Sequence, residues 1–133
     1  MQLDHVNIAT PDAEGAAALF GALFDLPVCA RTEVAHQGVK VVKLDAGSAF
    51  VEFTEPTAAD TPVGRFLARH RPGLHHLCFR VESLSAAIPR LKERGAVFVS
   101  EEPTIGAAGH PIVFLHPQST GGVLVELVER AAS

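Results

Sequence analysis

The sequence predicts an α+β fold made of two paired βαβββ modules that form a curved mixed sheet around a shared cleft. An internal repeat carries this prediction. The strand-like segment 3–9 (LDHVNIA) returns as 73–81 (GLHHLCFRV), and each copy closes on a matching segment, FVEFTE at 50–55 and LVELVE at 124–129. Self-similarity over such a period indicates that one structural unit has been used twice.

The repeat also places two histidines and two glutamates at equivalent positions. His5 precedes Glu52 by 47 residues, and His76 precedes Glu126 by 50 residues. These four residues are therefore the first candidates for a functional site.

The length predicts one domain over 1–133, because each half of about 60 residues would be marginally stable alone. Within it we expect a first module over 1–55, a linker with a short helix over 56–73 and a second module over 74–129. An apolar content of 47% with 20% charged residues is typical of a soluble globular protein.

Composition also excludes several classes of function. The net charge is −4 and no basic stripe is present, so no nucleic acid partner is expected. No apolar run approaches a membrane span, and the N-terminus lacks a targeting pattern, which leaves the cytoplasm as the expected location. Cys29 and Cys78 are too few for a disulfide framework or a thiolate metal site.

The first module reads as a strand, a helix and three further strands. A strand over 2–9 is followed by Thr10-Pro11-Asp12, which supplies an N-cap and a proline at the first helical position. The helix runs to about Asp25, and we expect one buried apolar stripe of Leu19, Phe20, Leu23 and Phe24. Turn residues separate the three strands that follow, at 28–34, 39–45 and 49–54.

The linker is polar and proline-rich, with one short helix over 62–70. The second module repeats the order with a strand over 74–81, a helix over 83–94 that ends at Gly95, and strands at 97–100, 111–116 and 122–128. Pro89 removes a backbone donor inside that helix, so we expect an irregularity there unless the helix begins near Ser85.

Strand alternation predicts which face each candidate residue takes. His5 lies opposite Val6 and Ile8, and His76 lies opposite Leu77, Phe79 and Val81. Glu52 and Glu126 each lie between two apolar residues on the opposite face. The apolar face belongs under the helix of its own module, which leaves the four polar residues on the open face. By the same rule, His75 lies opposite His76 and is expected to be a hydrogen-bonded core histidine.

One such histidine alone would most simply be a polar residue on a half-exposed strand. Four ligand-type residues at repeat-equivalent positions favour a metal site instead. Two neutral imidazoles and two carboxylates make a neutral set for a divalent cation, and mixed nitrogen and oxygen ligation suits octahedral Co²⁺, Ni²⁺, Mn²⁺ or Zn²⁺ with waters in the remaining positions.

With these residues in place, the sequence resembles the vicinal oxygen chelate superfamily (glyoxalase, bleomycin resistance and dioxygenase proteins), and most closely its methylmalonyl-CoA epimerase family. The resemblance covers nearly the whole chain. It is carried by Leu3-Asp4-His5-Val6, Gln37-Gly38-Val39, Gly73-Leu74-His75-His76, Glu101-Glu102-Pro103, Ile105-Gly106 and, most specifically, the segment 114–127 (FLHPQSTGGVLVEL).

The resemblance implies a divalent metal, Co²⁺ first among the candidates, held by His5, Glu52, His76 and Glu126. It further implies an acyl-CoA substrate whose α-carbon is epimerised, so that (R)- and (S)-methylmalonyl-CoA interconvert through a metal-stabilised enolate. Modules of this kind often pair as homodimers, so a homodimer is expected.

Two departures from the family pattern affect the catalytic residues. Some members carry a glutamate, proposed as one base, where this chain has Val41, and those members tend to have Gln where this chain has Glu52. Glu52 is therefore the natural substitute, and Glu126 and Glu52 are the expected catalytic pair. The family also commonly has Lys at the position of Gln118.

Four other residues are candidate substrate contacts. They lie in the first-module turn, on the strand after it, and in the specific segment of the second module: Gln37, Lys40, His116 and Ser119. His36, His70 and His110 have no repeat partner and read as loop or linker residues.

Two other functions use the same fold. A lyase similar to glyoxalase I, acting on a glutathione hemithioacetal, would need the same four ligands, but the segment 114–127 resembles the epimerases. A metal-free protein that binds small molecules or confers drug resistance would lack the ligands, which this chain keeps. An extradiol dioxygenase needs only two histidines and one carboxylate for iron, so the complete set argues against it.

Overall fold

A computed structural model describes residues 1–131, and the last two residues of the predicted domain, 132–133, lie outside the described residues. The helices and strands run in the order β1 (Gln2–Ala9), α1 (Ala13–Phe24), β2 (Val28–Val34), β3 (Val39–Asp45), β4 (Phe50–Pro56), α2 (Pro62–Arg69), β5 (Gly73–Val81), α3 (Leu84–Glu93), β6 (Thr104–Ile105), β7 (Pro111–Leu115) and β8 (Val125–Glu129). None of these helices is long and apolar enough to span a membrane.

The chain divides into two compact units, one formed by His5–His75 and the other by Met1–Asp4 with the residues from His76 onward. Each unit has the predicted strand, helix and three-strand order. In the first, β1 pairs in parallel with β4, and β3 pairs antiparallel with both β4 and β2. In the second, β5 pairs in parallel with β8, and β7 pairs antiparallel with both β8 and β6.

Helix α1 covers one face of its sheet with small side chains. The prediction of a buried stripe on this helix is wrong for three of its four residues. Ala13 and Ala17 are buried against Val42, Leu44 and Phe53. Alanines at i and i+4 lie on one face of the helix, and their short side chains allow the backbone to approach the sheet closely.

The large residues of α1 therefore lie to the side of that contact. Leu19, Leu23 and Phe24 are 58%, 63% and 58% exposed, and of the predicted stripe only Phe20 packs inward, edge-on to Phe53 at 4.8 Å between ring centroids. The start of the helix also differs from the prediction. Asp12, not Thr10, is the N-cap, and its Oδ1 accepts a hydrogen bond from Gly15 N at 3.0 Å.

Helix α3 covers the second sheet with Leu84, Ala87 and Ile88. Ser83 is its N-cap, because its hydroxyl accepts from Ala86 N at 3.2 Å. The helix begins at Leu84, next to Ser85, and runs through Pro89 to Glu93, as the alternative start near Ser85 allowed.

The strand predicted at 97–100 is wrong. Only one isolated bridge forms, between Phe98 and Leu115, while Val97 and Val99 remain 42% and 61% exposed. The second strand of the unit is instead β6, which lies inside the segment predicted as a loop. Among residues 97–100, only the ring of Phe98 is half-buried. The segment therefore makes too little apolar contact to hold a regular strand pairing.

The second unit also contains a buried ion-pair cluster, here called the Asp4 cluster: Asp4, Arg80 and Arg130. Asp4 is only 3% exposed, and its Oδ1 accepts from Arg80 Nη2 at 3.0 Å and from Arg130 Nη1 at 3.2 Å. The cluster joins the start of β1 to the ends of β5 and β8. A buried carboxylate needs such partners because desolvation penalises an isolated charge.

Candidate active site

The first unit places a histidine and a glutamate side by side. In the parallel pairing of β1 with β4, Asn7 is the register partner of Glu52, and His5 lies two residues earlier on the same face. The Nε2 atom of His5 is 3.3 Å from Oε1 of Glu52, and each residue is 6% exposed.

The second unit repeats this geometry. In the pairing of β5 with β8, Cys78 is the register partner of Glu126, and His76 again lies two residues earlier. The Nε2 atom of His76 is 3.6 Å from Oε1 of Glu126, both residues are 7% exposed, and the ring of Phe114 meets His76 edge-on at 5.5 Å. The structure therefore brings together the two partners predicted within each module.

The chemistry and spacing of each pair fit a divalent cation. Imidazole nitrogen and carboxylate oxygen bind such ions at about 2.0–2.2 Å, so neighbouring ligand atoms around an octahedral ion lie about 3 Å apart. The separations of 3.3 and 3.6 Å are close to that value.

Asn7 is a site residue that the sequence reasoning missed. It is 3% exposed, and its Nδ2 donates to Thr54 Oγ1 at 2.6 Å and approaches Glu52 Oε1 at 3.3 Å. Its Oδ1 atom is buried with no hydrogen-bond partner among residues 1–131. The shared parity of Asn7 with His5 was the signal that could have identified it.

The second unit has no amide side chain at the position equivalent to Asn7. The residues equivalent to Asn7 and Thr54 in the second unit are Cys78 and Val128, which pack with Ile112. Glu52 therefore lies in a hydrogen-bonded polar network, whereas apolar side chains occupy the equivalent positions near Glu126.

Strand β3 contributes a second missed residue. Lys43 is the register partner of Glu52, and its Nζ lies 4.2 Å from the centroid of the Phe50 ring. Val41, also on β3, is buried opposite Thr54 of β4. Its aliphatic side chain has no proton to exchange. Alternation puts Lys40, the lysine predicted from the sequence, on the other face of β3.

The remaining predicted contacts lie in turns. Gln37 ends a short 3₁₀ turn before Gly38, whose φ of +66° requires the left-handed region. Nδ1 of the exposed His116 accepts from Gln118 N at 3.1 Å, and Ser119 Oγ accepts from Val97 N at 3.1 Å. These last two hydrogen bonds stabilise the segment 116–119. A role in substrate binding for Gln37, Lys40, His116 or Ser119 stays a prediction.

His75 points away from the metal candidates, as expected from parity. It is half-buried, and its ring meets that of Phe66 in α2 edge-on at 4.9 Å. The contact gives His75 a packing role in the first unit.

A family model described as the glyoxalase/bleomycin resistance protein/dioxygenase superfamily matches residues 4–114. The chain belongs to this superfamily. The match spans both units and includes three of the four candidate ligands.

Relatives within the superfamily agree with this assignment. The chain is 41% identical to ethylmalonyl-CoA/methylmalonyl-CoA epimerase of Cereibacter sphaeroides, over 95% of this chain and 96% of that protein. It is 40% identical to the mitochondrial methylmalonyl-CoA epimerase of Homo sapiens, over 95% of this chain and 72% of that protein.

A solved structure gives the same result for the fold. A variant of Streptomyces coelicolor methylmalonyl-CoA epimerase, in complex with 2-nitronate-propionyl-CoA, aligns with a TM-score of 0.91 at 32% identity, over 99% of this chain and 96% of that one. The predicted fold class and the resemblance to this family are confirmed.

The network of Asn7 predicts a measurable coupling between Asn7 and Thr54. We expect Asn7→Ala to lower the free energy of unfolding of the metal-free protein by about 1–3 kcal/mol, because a buried acceptor and a buried carboxylate lose their donor. A double-mutant cycle with Thr54→Val, followed by urea denaturation, should give a coupling of about 1 kcal/mol. Strictly additive effects would contradict the hydrogen bond between Asn7 and Thr54.

Proposed function

We propose that this protein is a metal-dependent isomerase that interconverts (R)- and (S)-methylmalonyl-CoA. The observation that carries the proposal is the buried His–Glu pair found once in each unit, at equivalent register positions. The epimerases among the relatives of this chain support the choice of substrate.

His5, Glu52, His76 and Glu126 would together hold one divalent ion, with Co²⁺ as the first candidate and Mn²⁺, Ni²⁺ or Zn²⁺ as the others. When bound, the ion would supply a Lewis acid for the thioester and carboxylate oxygens of the substrate. The buried setting of each pair strengthens electrostatic interactions, since little water is present to screen them.

The protein's own part in the reaction is to move one proton on each face of the α-carbon. Glu126 would remove the α-proton from one face, while the electrons of the C–H bond move into the thioester carbonyl to give a planar enolate. Glu52, protonated and released from the ligand set, would donate its own proton to the opposite face. Loss of a proton from Glu126 to solvent and gain of one by Glu52 would then restore the starting protonation states.

The buried Val41 supports the assignment of the second base to Glu52, since it places an aliphatic side chain where some family members carry a base. Lys43 is the strongest remaining candidate, because it shares a register position and a face with Glu52. A glyoxalase-like reaction would use the same ligands, and offering the purified protein a glutathione hemithioacetal beside methylmalonyl-CoA distinguishes the two activities.

We further propose that the protein acts as a homodimer in the cytoplasm on an acyl-CoA substrate. Light scattering coupled to size-exclusion chromatography tests the dimer. The exposed apolar residues of α1 provide a surface that an association of this kind would bury.

The metal proposal predicts opposite effects at neighbouring histidines. His76→Ala removes one ligand and should weaken binding of the divalent ion by about 10-fold or more, the scale at which even outer-shell losses are measured. His75→Ala should instead lower stability through the lost contact with Phe66 and leave the metal content unchanged. Competition with a metallochromic indicator measures the first effect, and thermal unfolding measures the second. If His75→Ala loses the ion and His76→Ala retains it, the assignment of the ligand is wrong.

The proton-transfer proposal predicts that loss of one base separates two events that the intact enzyme couples. Glu52→Gln keeps the shape and one ligand oxygen but cannot transfer a proton. With each methylmalonyl-CoA isomer in heavy water, we expect exchange of the α-proton to persist from one isomer, while conversion to the other falls by about 10² or more.

Glu126→Gln is the matched variant and should retain exchange from the opposite isomer. Metal content is measured on both variants first, so that a lost ion is not mistaken for a lost base. A metal-loaded Glu52→Gln protein that epimerises at the parent rate would show that Glu52 is only a ligand, and Lys43→Met would then be the next variant to test.

A further inference from the structure

One carboxylate oxygen of Glu52 faces two side chains of β1. Its Oε1 atom lies 3.3 Å from Nε2 of His5 and also 3.3 Å from Nδ2 of Asn7. All three side chains are buried. Each oxygen of a carboxylate has more than one lone pair, so Oε1 can accept a hydrogen bond from the amide and still face the imidazole. The oxygen that the amide holds is therefore the one at ligand spacing from His5.

The amide of Asn7 is itself held in place, and Glu52 sets its orientation. Thr54 Oγ1 accepts from Nδ2 at 2.6 Å. A hydroxyl can donate or accept, so Thr54 could pair with either end of the amide. An ionised carboxylate can only accept, and turning the amide over would bring two acceptors together. The amide therefore directs its donors at Glu52 and Thr54, and Oδ1 has no hydrogen-bond partner among residues 1–131.

The fold does not require this polar arrangement for its stability. A buried acceptor without a partner is destabilising. At the equivalent positions the second unit has Cys78 and Val128, which pack with Ile112. A βαβββ unit can therefore fill this part of its sheet with apolar side chains. The pairing of Asn7 with Thr54 in the first unit points to a role that involves the neighbouring carboxylate.

We propose that Asn7 is a positioning residue for metal binding, which fixes the ligand oxygen of Glu52 before an ion arrives. The inference deepens the proposed function and rests on it. A glutamate side chain has three rotatable bonds, and the entropy lost in ordering them opposes ion binding. A hydrogen bond that already orders the carboxylate reduces this loss, which is why partners of metal ligands affect affinity. The second unit has no such amide, so Asn7 should act on Glu52 alone.

Measurements of metal affinity on matched variants test this role. Asn7→Ala removes the donor, and Thr54→Val removes the hydroxyl that holds the amide. Thr61→Val is the control, because Thr61 is a buried threonine of the same unit whose hydroxyl accepts from Gly64 N at 3.0 Å. Its loss breaks a hydrogen bond at the start of α2 and none beside Glu52. Competition with a metallochromic indicator gives the Kd of Co²⁺, and thermal unfolding gives the stability of each variant.

The three variants should separate metal affinity from stability. Asn7→Ala should raise the Kd of Co²⁺ by about 10-fold or more, the scale for a lost partner of a metal ligand. Thr54→Val should raise it by a smaller factor, because Asn7 keeps its donor but loses the hydrogen bond that orients it. Thr61→Val should lower the melting temperature, since it loses a helix cap, and leave the Kd at the parent value.

Two further backgrounds show whether Asn7 acts through Glu52. In Glu52→Ala the oxygen that the amide holds is gone, so adding Asn7→Ala should change the Kd by no more than about 2-fold, the usual error of additivity. In Glu126→Ala, which removes the proposed glutamate ligand of the second unit, adding Asn7→Ala should again raise the Kd by about 10-fold. A purely structural role for Asn7 would not distinguish the two backgrounds.

Three results would contradict the proposal. An unchanged or lower Kd in Asn7→Ala would show that the amide does not assist the ligand. Equal effects of Asn7→Ala in the two glutamate backgrounds would show that it acts independently of Glu52. An equal rise in Kd for Thr61→Val would assign the effect to lost stability. If the parent protein binds Co²⁺ but does not epimerise methylmalonyl-CoA, the proposed reaction fails, and the affinities still test Asn7. A parent protein that binds no divalent ion would overturn both.

Discussion

Each unit depends on one pairing of parallel strands that buries a histidine against a glutamate. A buried ionisable side chain is strongly destabilising without a partner, and either residue alone would have to be exposed or replaced by an apolar one. The pairing of β1 with β4, and of β5 with β8, places the partners 3.3 and 3.6 Å apart. Because the alternating residues are apolar, the other face of each sheet is left for α1 or α3.

Much of this could be predicted from the sequence because it depends on short-range periodicity. Strands β1 to β5 and the four candidate ligands follow from alternation and from the repeat. The failures have a common physical cause, since they depend on how closely elements approach. The alanines of α1 allow close contact and leave Leu19, Leu23 and Phe24 exposed. The residues 97–100 alternate correctly but bury too little to form a strand. Alternation puts Asn7 on the face of His5, but its contact with Glu52 depends on the register between β1 and β4.

The two units differ where a single substrate would need them to differ. The first surrounds Glu52 with Asn7, Thr54 and Lys43, whereas the second has Cys78 and Val128 at the positions equivalent to Asn7 and Thr54. An epimerase must approach one carbon from two faces. Duplication of a module supplies equivalent ligands, and divergence of the neighbouring residues supplies the asymmetry.

The central claim is that both His–Glu pairs bind the same ion. A crystal structure of the Co²⁺-loaded protein, with anomalous data collected at the cobalt edge, tests it most directly. We predict one ion per chain, bound by Nε2 of His5 and of His76 and by carboxylate oxygens of Glu52 and Glu126, with positions left for two oxygens of the substrate. Two ions per chain, each held by one pair, or a single ion that contacts the residues of only one unit, would contradict this account.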